Sequence, residues 1–512
     1  MVSPLRARLW YTTRQKIVTS VVAVAVLGSL AGYAIDRATT PEDRSCAPGV
    51  ERPAGSSECV GVNGDGYDFG VPSLTGIAAL IRDENRALKP GEYATVALLL
   101  PLTSPDGGMR VKVLHEIQGA YARQYRANHE SNSETPKIRL VLANTGKGNA
   151  HWRATVDRLK TMTDGEDRLR AVSGVATSST EIRQAVTELT GAGIAVVGTT
   201  ITADDIANGP GAGKNRYPGL ARVSPTNGDE AKALAHFGEV EAAKALLVQD
   251  TRTGDHYTDT LKAAFSASLK GAPYEPQLFT SPADPTEEGT TANTFRQITH
   301  LICDTRAETV FFAGRHTQLR QFINALGARG CAERPFTILT GDEGSYLGAD
   351  GKLNRAALKA KLTVRYAALA HPDAWTAGPG REVPATGGST AAYETFLTDI
   401  ARASKEPVPL ADGQAIVAYD AMATAVHAIR QATPQGAQYP GLADVATQWP
   451  QVKGSLRVEG ASGWICLDNF GNPFNKAVPI VELSQDGTQK FVQIAWPEGR
   501  PPAANCLPPR RG

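Results

Sequence analysis

From Glu92 onward, short and nearly continuous apolar runs alternate with longer segments whose apolar residues recur every three to four positions. The short runs read as strands buried on both faces, and the longer segments as the helices that cover them. The first unit has the strand ATVALLL (94–100), the turn-rich loop PLTSPDGG and a helix over 109–128. Strands opening at Lys137, Ala171 and Ile194 follow, with helices over 151–162 and 180–190 between them. After LARVSPT (220–226) the rhythm restarts, with helices over 229–241, 258–269, 295–303 and 317–328 and strands opening at Lys244, Gln277, Glu308 and Phe336. From about Val364 the chain returns to the first set, with helices over 390–403 and 414–432, and ends in a strand-rich tail from Val452. Such alternation predicts the α/β class, and two successive sets predict two lobes, each a doubly wound parallel sheet.

One apolar run is much longer. Residues 17–35 (IVTSVVAVAVLGSLAGYAI) carry no charge, and at about 1.5 Å per residue they span about 28 Å, which predicts one transmembrane helix. Arg6, Arg8, Arg14 and Lys16 precede it, so 1–16 is expected to be a cytoplasmic basic tail and everything after Asp36 extracytoplasmic. A cleaved export signal is the competing reading. No cysteine follows the run directly, which leaves the lipoprotein route unsupported. Residues 36–91 are rich in Pro, Gly, Ser and acids and read as a stalk that cannot fold alone, with 73–85 as a short helix against the body.

Composition narrows the partners. The 512 residues hold 53 Lys plus Arg against 52 Asp plus Glu, so no broad basic surface marks a nucleic-acid protein. The six cysteines, Cys46, Cys59, Cys303, Cys331, Cys466 and Cys506, all follow the long apolar run and show no zinc spacing. They read as disulfides of an oxidising compartment. Proximity along the chain and the predicted topology pair them as Cys46–Cys59, Cys303–Cys331 and Cys466–Cys506.

Several segments, in this order, carry a resemblance: VALLLPLTSP, EIQGAYARQYRAN, SGVATSSTE, AVVGTTITADD, YPGLARVSPTNGDEAKALAHF, LLVQDTRTGDHYTDTLKAAF, TVFFAGRHTQLRQFINALGARG, TILTGDEG, VAYDAMATAVHAI and KGSLRVEGASGWICLDNFGNP. Over most of 92–497 the chain resembles the type I periplasmic binding proteins, specifically the leucine/isoleucine/valine-binding substrate receptors of ABC transporters. The resemblance implies two lobes joined by three crossovers, near 224–227, 366–369 and 448–452, closing over a solute. Lobe 1 would comprise 92–224 and 367–449, lobe 2 would comprise 225–366 and 450–497, and 498–512 would be a C-terminal tail. The implied function is capture of a small polar, amino-acid-like ligand for an ABC permease or a membrane receptor, at the plasma membrane, with no cofactor and no catalysis.

The residues that could hold the ligand lie after the strands. Thr177, Ser178 and Ser179 sit between a strand and a helix, where hydroxyls and free N–H groups can cradle an anion. The resemblance gives the ligand carboxylate to Ser178 and Ser179, and backbone or hydroxyl contacts to the Thr199, Thr200 and Thr202 loop. It makes Tyr257 a cleft tyrosine of the second lobe, and Glu343, with Asp342 beside it, the partner of a ligand ammonium. The chain departs from the pattern at FFAGRHTQ, where Arg315 and His316 follow the glycine. A guanidinium there favours an anionic ligand or an internal salt bridge with Glu343.

Other motifs fail. GPGAGKN (209–215) lacks the first glycine of a phosphate loop and has Asn215 where magnesium needs Ser or Thr, and HEIQ lacks the second histidine of a zinc-protease helix. The histidines are scattered, and no nucleophile–base pair can be assembled from the motifs. The competing function is a ligand-less interaction or signalling module on the same fold.

Overall fold

The computed structural model describes residues 12–39, 44–131, 134–209, 215–284 and 286–508, with only the backbone of 30–39. Two compact units result, Met1–Ser45 and Cys46–Gly512. Helix α1, Thr13–Thr39, makes up most of the first. It contains the predicted transmembrane run, but among the described residues no helix is long and apolar enough to cross a membrane. The side chains described within that run, 17–29, cover about 20 Å of helix, short of the roughly 30 Å hydrocarbon core. The rest of the run, 30–35, and the basic tail up to residue 11 lie outside the described side chains, as does most of the 209–215 loop.

The second unit is built on two sheets. In the first, β4 (Tyr93–Leu100), β5 (Lys137–Asn144), β6 (Leu169–Gly174), β7 (Ala195–Gly198) and β8 (Leu220–Arg222) run parallel. In the second, β9 (Ala245–Asp250), β10 (Gln277–Phe279), β11 (Thr309–Ala313), β12 (Phe336–Thr340) and β13 (Leu362–Ala367) do the same. Both sheets are mixed rather than purely parallel. β14 (Val478–Leu483) and β15 (Gln489–Ala495) add an antiparallel hairpin to β13. β1 (Ser45–Ala47), β2 (Val50–Glu51) and β3 (Val60–Asn63) extend the first sheet, β3 running antiparallel to β5.

These three strands, with helix α2 (Thr75–Arg86) packed on β5, come from the segment read as a stalk. Its backbone groups pair with the edge of β5, and the Cys46–Cys59 disulfide ties β1 to the start of β3. Little apolar surface is needed when an existing edge supplies the partners. All three disulfides join the cysteines paired from the sequence.

Alternation within each strand explains the continuous apolar runs. Val96, Leu98 and Leu100 of β4 enter the core on one face of the first sheet, while Ala97 and Leu99 enter the core on the other. In β11, Val310 and Phe312 face one core of the second sheet and Phe311 and Ala313 face the other. The remaining helices are α3 (Gly107–His129), α4 (Trp152–Thr161), α5 (Thr180–Gly191), α6 (Asn227–Gly238), α7 (His256–Ser268), α8 (Thr291–Asp304), α9 (His316–Gly327), α10 (Thr390–Ile400), α11 (Gln414–Ala432) and α12 (Leu442–Ala446).

The chain leaves the first sheet after β8 and comes back after β13, because α10 packs on α3, and α11 packs on α3, β6 and β7. The third crossing differs from the expected 448–452. Val452, Val458, Ile465 and Leu467 bury in the core of the first sheet, and the Arg222 N–H of β8 donates to the Gly471 carbonyl at 3.0 Å. The chain therefore joins the second sheet only at Val478.

Helices α3 and α11 touch backbone to backbone where Gly119 meets Ala415, since a Cβ at Gly119 would run into the Ala415 carbonyl. Gly119→Ala is expected to cost about 1–3 kcal/mol through this overlap, read as a lower urea midpoint with an unchanged slope. No loss would mean that the helices separate freely.

Candidate functional site

A cavity of about 440 Å³ opens between the two sheets. The first sheet contributes the segments that follow β4 (Pro101, Ser104, Met109), β5 (Lys147, Gly148, Asn149) and β6 (Thr177, Ser179, Thr180, Glu181). The second contributes those after β9 (Arg252, Gly254, Asp255), β10 (Ala283, Asp284, Thr286), β11 (Arg315, His316) and β12 (Glu343). All of them lie beyond the carboxyl ends of parallel strands, where helix N-termini and loops leave N–H groups and side chains free to meet a ligand.

Arg315 organises the wall on the second side. Its Nε and Nη2 form a fork on Asp255 at 2.8 and 2.7 Å, and its Nη1 donates to Glu343 Oε1 at 2.7 Å. Nη2 also reaches the Ser178 carbonyl on the first side at 3.4 Å. The guanidinium lies 4.6 Å from the Tyr257 ring centroid, a cation–π contact. Glu343 Oε2 accepts from the His316 N–H at 3.0 Å and lies 2.8 Å from His316 Nδ1. Asp255 caps α7 through the Thr258 N–H and also holds Arg252 at 2.9 Å.

The Arg315, Asp255 and Glu343 side chains are only 14%, 2% and 9% exposed, so this charge network is largely dry. Burial alone would push the Asp255 and Glu343 carboxyls up. The Arg315 charge outweighs it, with hydrogen bonds added, and holds both below the usual carboxylate range.

The residues expected to bind separate into two layers. Ser179, Arg315 and Glu343 line the cavity, together with Thr177. Ser179 also caps α5, accepting from the Ile182 N–H at 3.4 Å. Ser178 turns the other way, its hydroxyl accepting from the Ala203 N–H at 3.2 Å. Thr200 is buried, donating to the Ala176 carbonyl at 2.7 Å and accepting from Lys112 at 2.9 Å. Thr202 is buried as well, its hydroxyl without a partner among the described residues. Tyr257 lies beneath Arg315, its hydroxyl accepting from the Glu343 N–H at 3.4 Å.

Asp342 is buried and does not line the cavity, and its backbone N–H donates to Glu230 Oε2 at 3.2 Å. Burial, and then repulsion from Glu343, raises the Asp342 carboxyl, and burial followed by repulsion from Asp342 raises Glu230. A raised acid contributes stability fully below its unfolded value, about 4, and the contribution is lost as pH rises through the folded value. Asp342→Asn is therefore expected to flatten the decline in melting temperature from pH 4 upward. An equally steep decline in the variant would contradict the assignment.

Sequence reasoning did not single out Lys147, Asn149, Thr180, Arg252, Asp255 or Asp284. Lys147 reaches Asp284 across the cleft at 3.0 Å. Thr180 lies 3.3 Å from both the Gly254 carbonyl and His256 Nε2, and His256 Nδ1 lies 2.5 Å from Asp205 Oδ2. These contacts join the two halves around the cavity. Their only sequence signal is position, immediately after a strand.

Neither a family model nor a curated protein matches this sequence. Among solved structures, the chain is similar to the branched-chain amino acid transporter substrate-binding protein LivJ from Streptococcus pneumoniae in complex with isoleucine. The two are 14% identical with a TM-score of 0.55, over 79% of this chain and 99% of that one. An ABC transporter substrate-binding protein from Desulfitobacterium hafniense in complex with leucine gives 16%, 0.57, and 78% and 100%. A solute-binding protein of an ABC transporter from Rhodopseudomonas palustris, in complex with p-hydroxybenzoic acid, gives 15%, 0.56, and 78% and 96%. The fold is that of the type I periplasmic binding proteins.

Proposed function

We propose that this protein captures a small polar solute in the cleft between its two sheets, as the solute-binding component of an ABC importer or a membrane sensor. The observation that carries this reading is the cavity of about 440 Å³, walled on both sides by segments from the carboxyl ends of parallel strands. Similar structures in complex with isoleucine, leucine and p-hydroxybenzoic acid support a ligand of that size and polarity. Thr177, Ser179, Arg315 and Glu343 are the contacts proposed from the sequence that line this space. A thermal-shift screen of the full chain against amino acids and aromatic acids tests the proposal. One or more compounds should raise the melting temperature in a concentration-dependent way, and a panel with no effect would contradict it.

One observation favours the second reading, an interaction module without a ligand: Glu343 is already bound by Arg315 and His316, so the cleft satisfies its own acid. The same screen separates the two readings.

The proposed location is extracytoplasmic, supported by three disulfides and no free cysteine among the described residues. Anchoring by the 17–35 run is part of this proposal. It rests on the uncharged sequence and on Ile17, Val18, Val21, Val22, Val24, Val26 and Leu27, each more than half exposed. After expression of the full chain in bacteria, the protein is expected in the carbonate-washed membrane pellet. Recovery in the supernatant would remove the anchor and leave the cleft untouched.

A further inference from the structure

We infer that the cleft selects a carboxylate that carries no ammonium group, and that Arg315 is the residue that imposes this choice. The inference rests on reading the cavity as a solute site. Four acids line it: Glu181, Asp255, Asp284 and Glu343. Three are already matched to cations of the chain, Asp255 to Arg315 and Arg252, Asp284 to Lys147, and Glu343 to Arg315. A ligand ammonium seeking Glu343 would have to displace a guanidinium that is held at three points and shielded from water. In a dry site a cation left without a counter-charge is strongly disfavoured.

Free donors, in contrast, are plentiful on the opposite wall. Thr177 and Ser179 accept through their oxygens, from Asn149 Nδ2 at 2.9 Å and the Ile182 N–H at 3.4 Å, so each keeps a hydroxyl hydrogen to give. The N–H groups of Thr180 and Glu181 open α5 and have no acceptor within the helix. Four donors on this wall therefore meet a cavity whose one uncommitted acid among the described residues is Glu181. That residue is half-buried in the first turn of α5, where its charge is stabilised by its own helix terminus. Pro101, Met109 and Ala283 complete the lining and offer an apolar surface to the rest of the ligand.

A matched pair of probes tests this. Leucine and 4-methylpentanoate share a carboxylate and an isobutyl group and differ by the ammonium. In calorimetric titrations of the full chain, 4-methylpentanoate is expected to bind at least about tenfold more tightly than leucine. Arg315→Ala, checked for folding by circular dichroism, should narrow or invert that ratio by freeing Glu343 and Asp255. The ratio in the unaltered chain decides the matter even if the variant does not fold. Leucine binding as tightly as 4-methylpentanoate would overturn the inference and leave solute capture standing, and loss of that leucine binding in Glu181→Gln would identify Glu181 as the ammonium partner. Should neither probe bind, nor any amino acid or acid of the wider screen, solute capture fails and the inference with it.

Discussion

Arg315→Ala is expected to destabilise the protein by about 3–5 kcal/mol, the range for breaking a buried ion pair by removing one partner. The loss comes from what stays behind. Asp255 and Glu343 are 2% and 9% exposed and would keep their charges with far less compensation, Asp255 retaining Arg252 and Glu343 retaining His316. The Tyr257 face would also lose its cation, and the Ser178 carbonyl its donor across the cleft. Adding Glu343→Gln to the variant removes one stranded charge and should recover part of the loss. Urea denaturation of the three proteins at neutral pH measures both effects, and a loss below about 1 kcal/mol, as for an exposed pair, would show that the network is solvated. Acid should have the same consequence in the unaltered chain. Both carboxyls are held below their ordinary values, so the stability they contribute is complete above about pH 4 and drains away as pH falls through the folded values.

The second large effect concerns the end of the chain. Cys466 and Cys506 are both buried and bonded across a separation of 40 residues, the longest of the three loops. On the chain-entropy account, opening a loop of that length costs about 4 kcal/mol. The bond joins the segment against β8 to the stretch after β15, where Asn475 Nδ2 donates to the Arg500 carbonyl at 2.9 Å and Thr386 to the Pro502 carbonyl at 2.7 Å. A Cys466→Ala/Cys506→Ala variant is expected to lose about that much stability, and the amides following Trp496 should exchange faster than those of β14. Retention of full stability would mean that these hydrogen bonds hold the tail unaided.

What could be read in advance follows from how each part is stabilised. The strands β4 to β7, β9, β11 and β12 are legible because helices cover both faces and nearly every position becomes apolar, a pattern that needs no knowledge of the partner strand. By contrast β8, of three residues, and β13, with Thr363 and Arg365 among its apolar residues, carry no such run. The strands β1 to β3 are not legible, because each is two to four residues long and owes its place to the exposed edge of β5 and to a disulfide. The tail over 452–477 misled for a related reason. Its bridges, Val458 to Ile465 and Leu467 to Pro473, give it a strand-like sequence, while burial of Val452, Ile465 and Leu467 assigns it to the first core.

The site was legible by loop and not by side chain. Within the segment Thr177–Ser178–Ser179, the Ser178 hydroxyl turns to the Ala203 N–H while Thr177 and Ser179 line the cavity. Of Asp342 and Glu343, likewise, only Glu343 lines the cavity, beside Arg315. Adjacent loop residues point in opposite directions, and no periodicity marks which one meets the ligand. Arg315 differs from these, since the charge of a guanidinium after the glycine of FFAGRHTQ is readable whichever way the side chain points.

The central claim is that a ligand is gripped by both halves at once. A crystal structure of the full chain with the tightest compound from the screen tests it most directly. Density is expected in the cavity between Ser179 and Arg315, within hydrogen-bond distance of residues from both sheets. Density confined to one half, or to another surface while that cavity stays filled by the chain's own side chains, would contradict it.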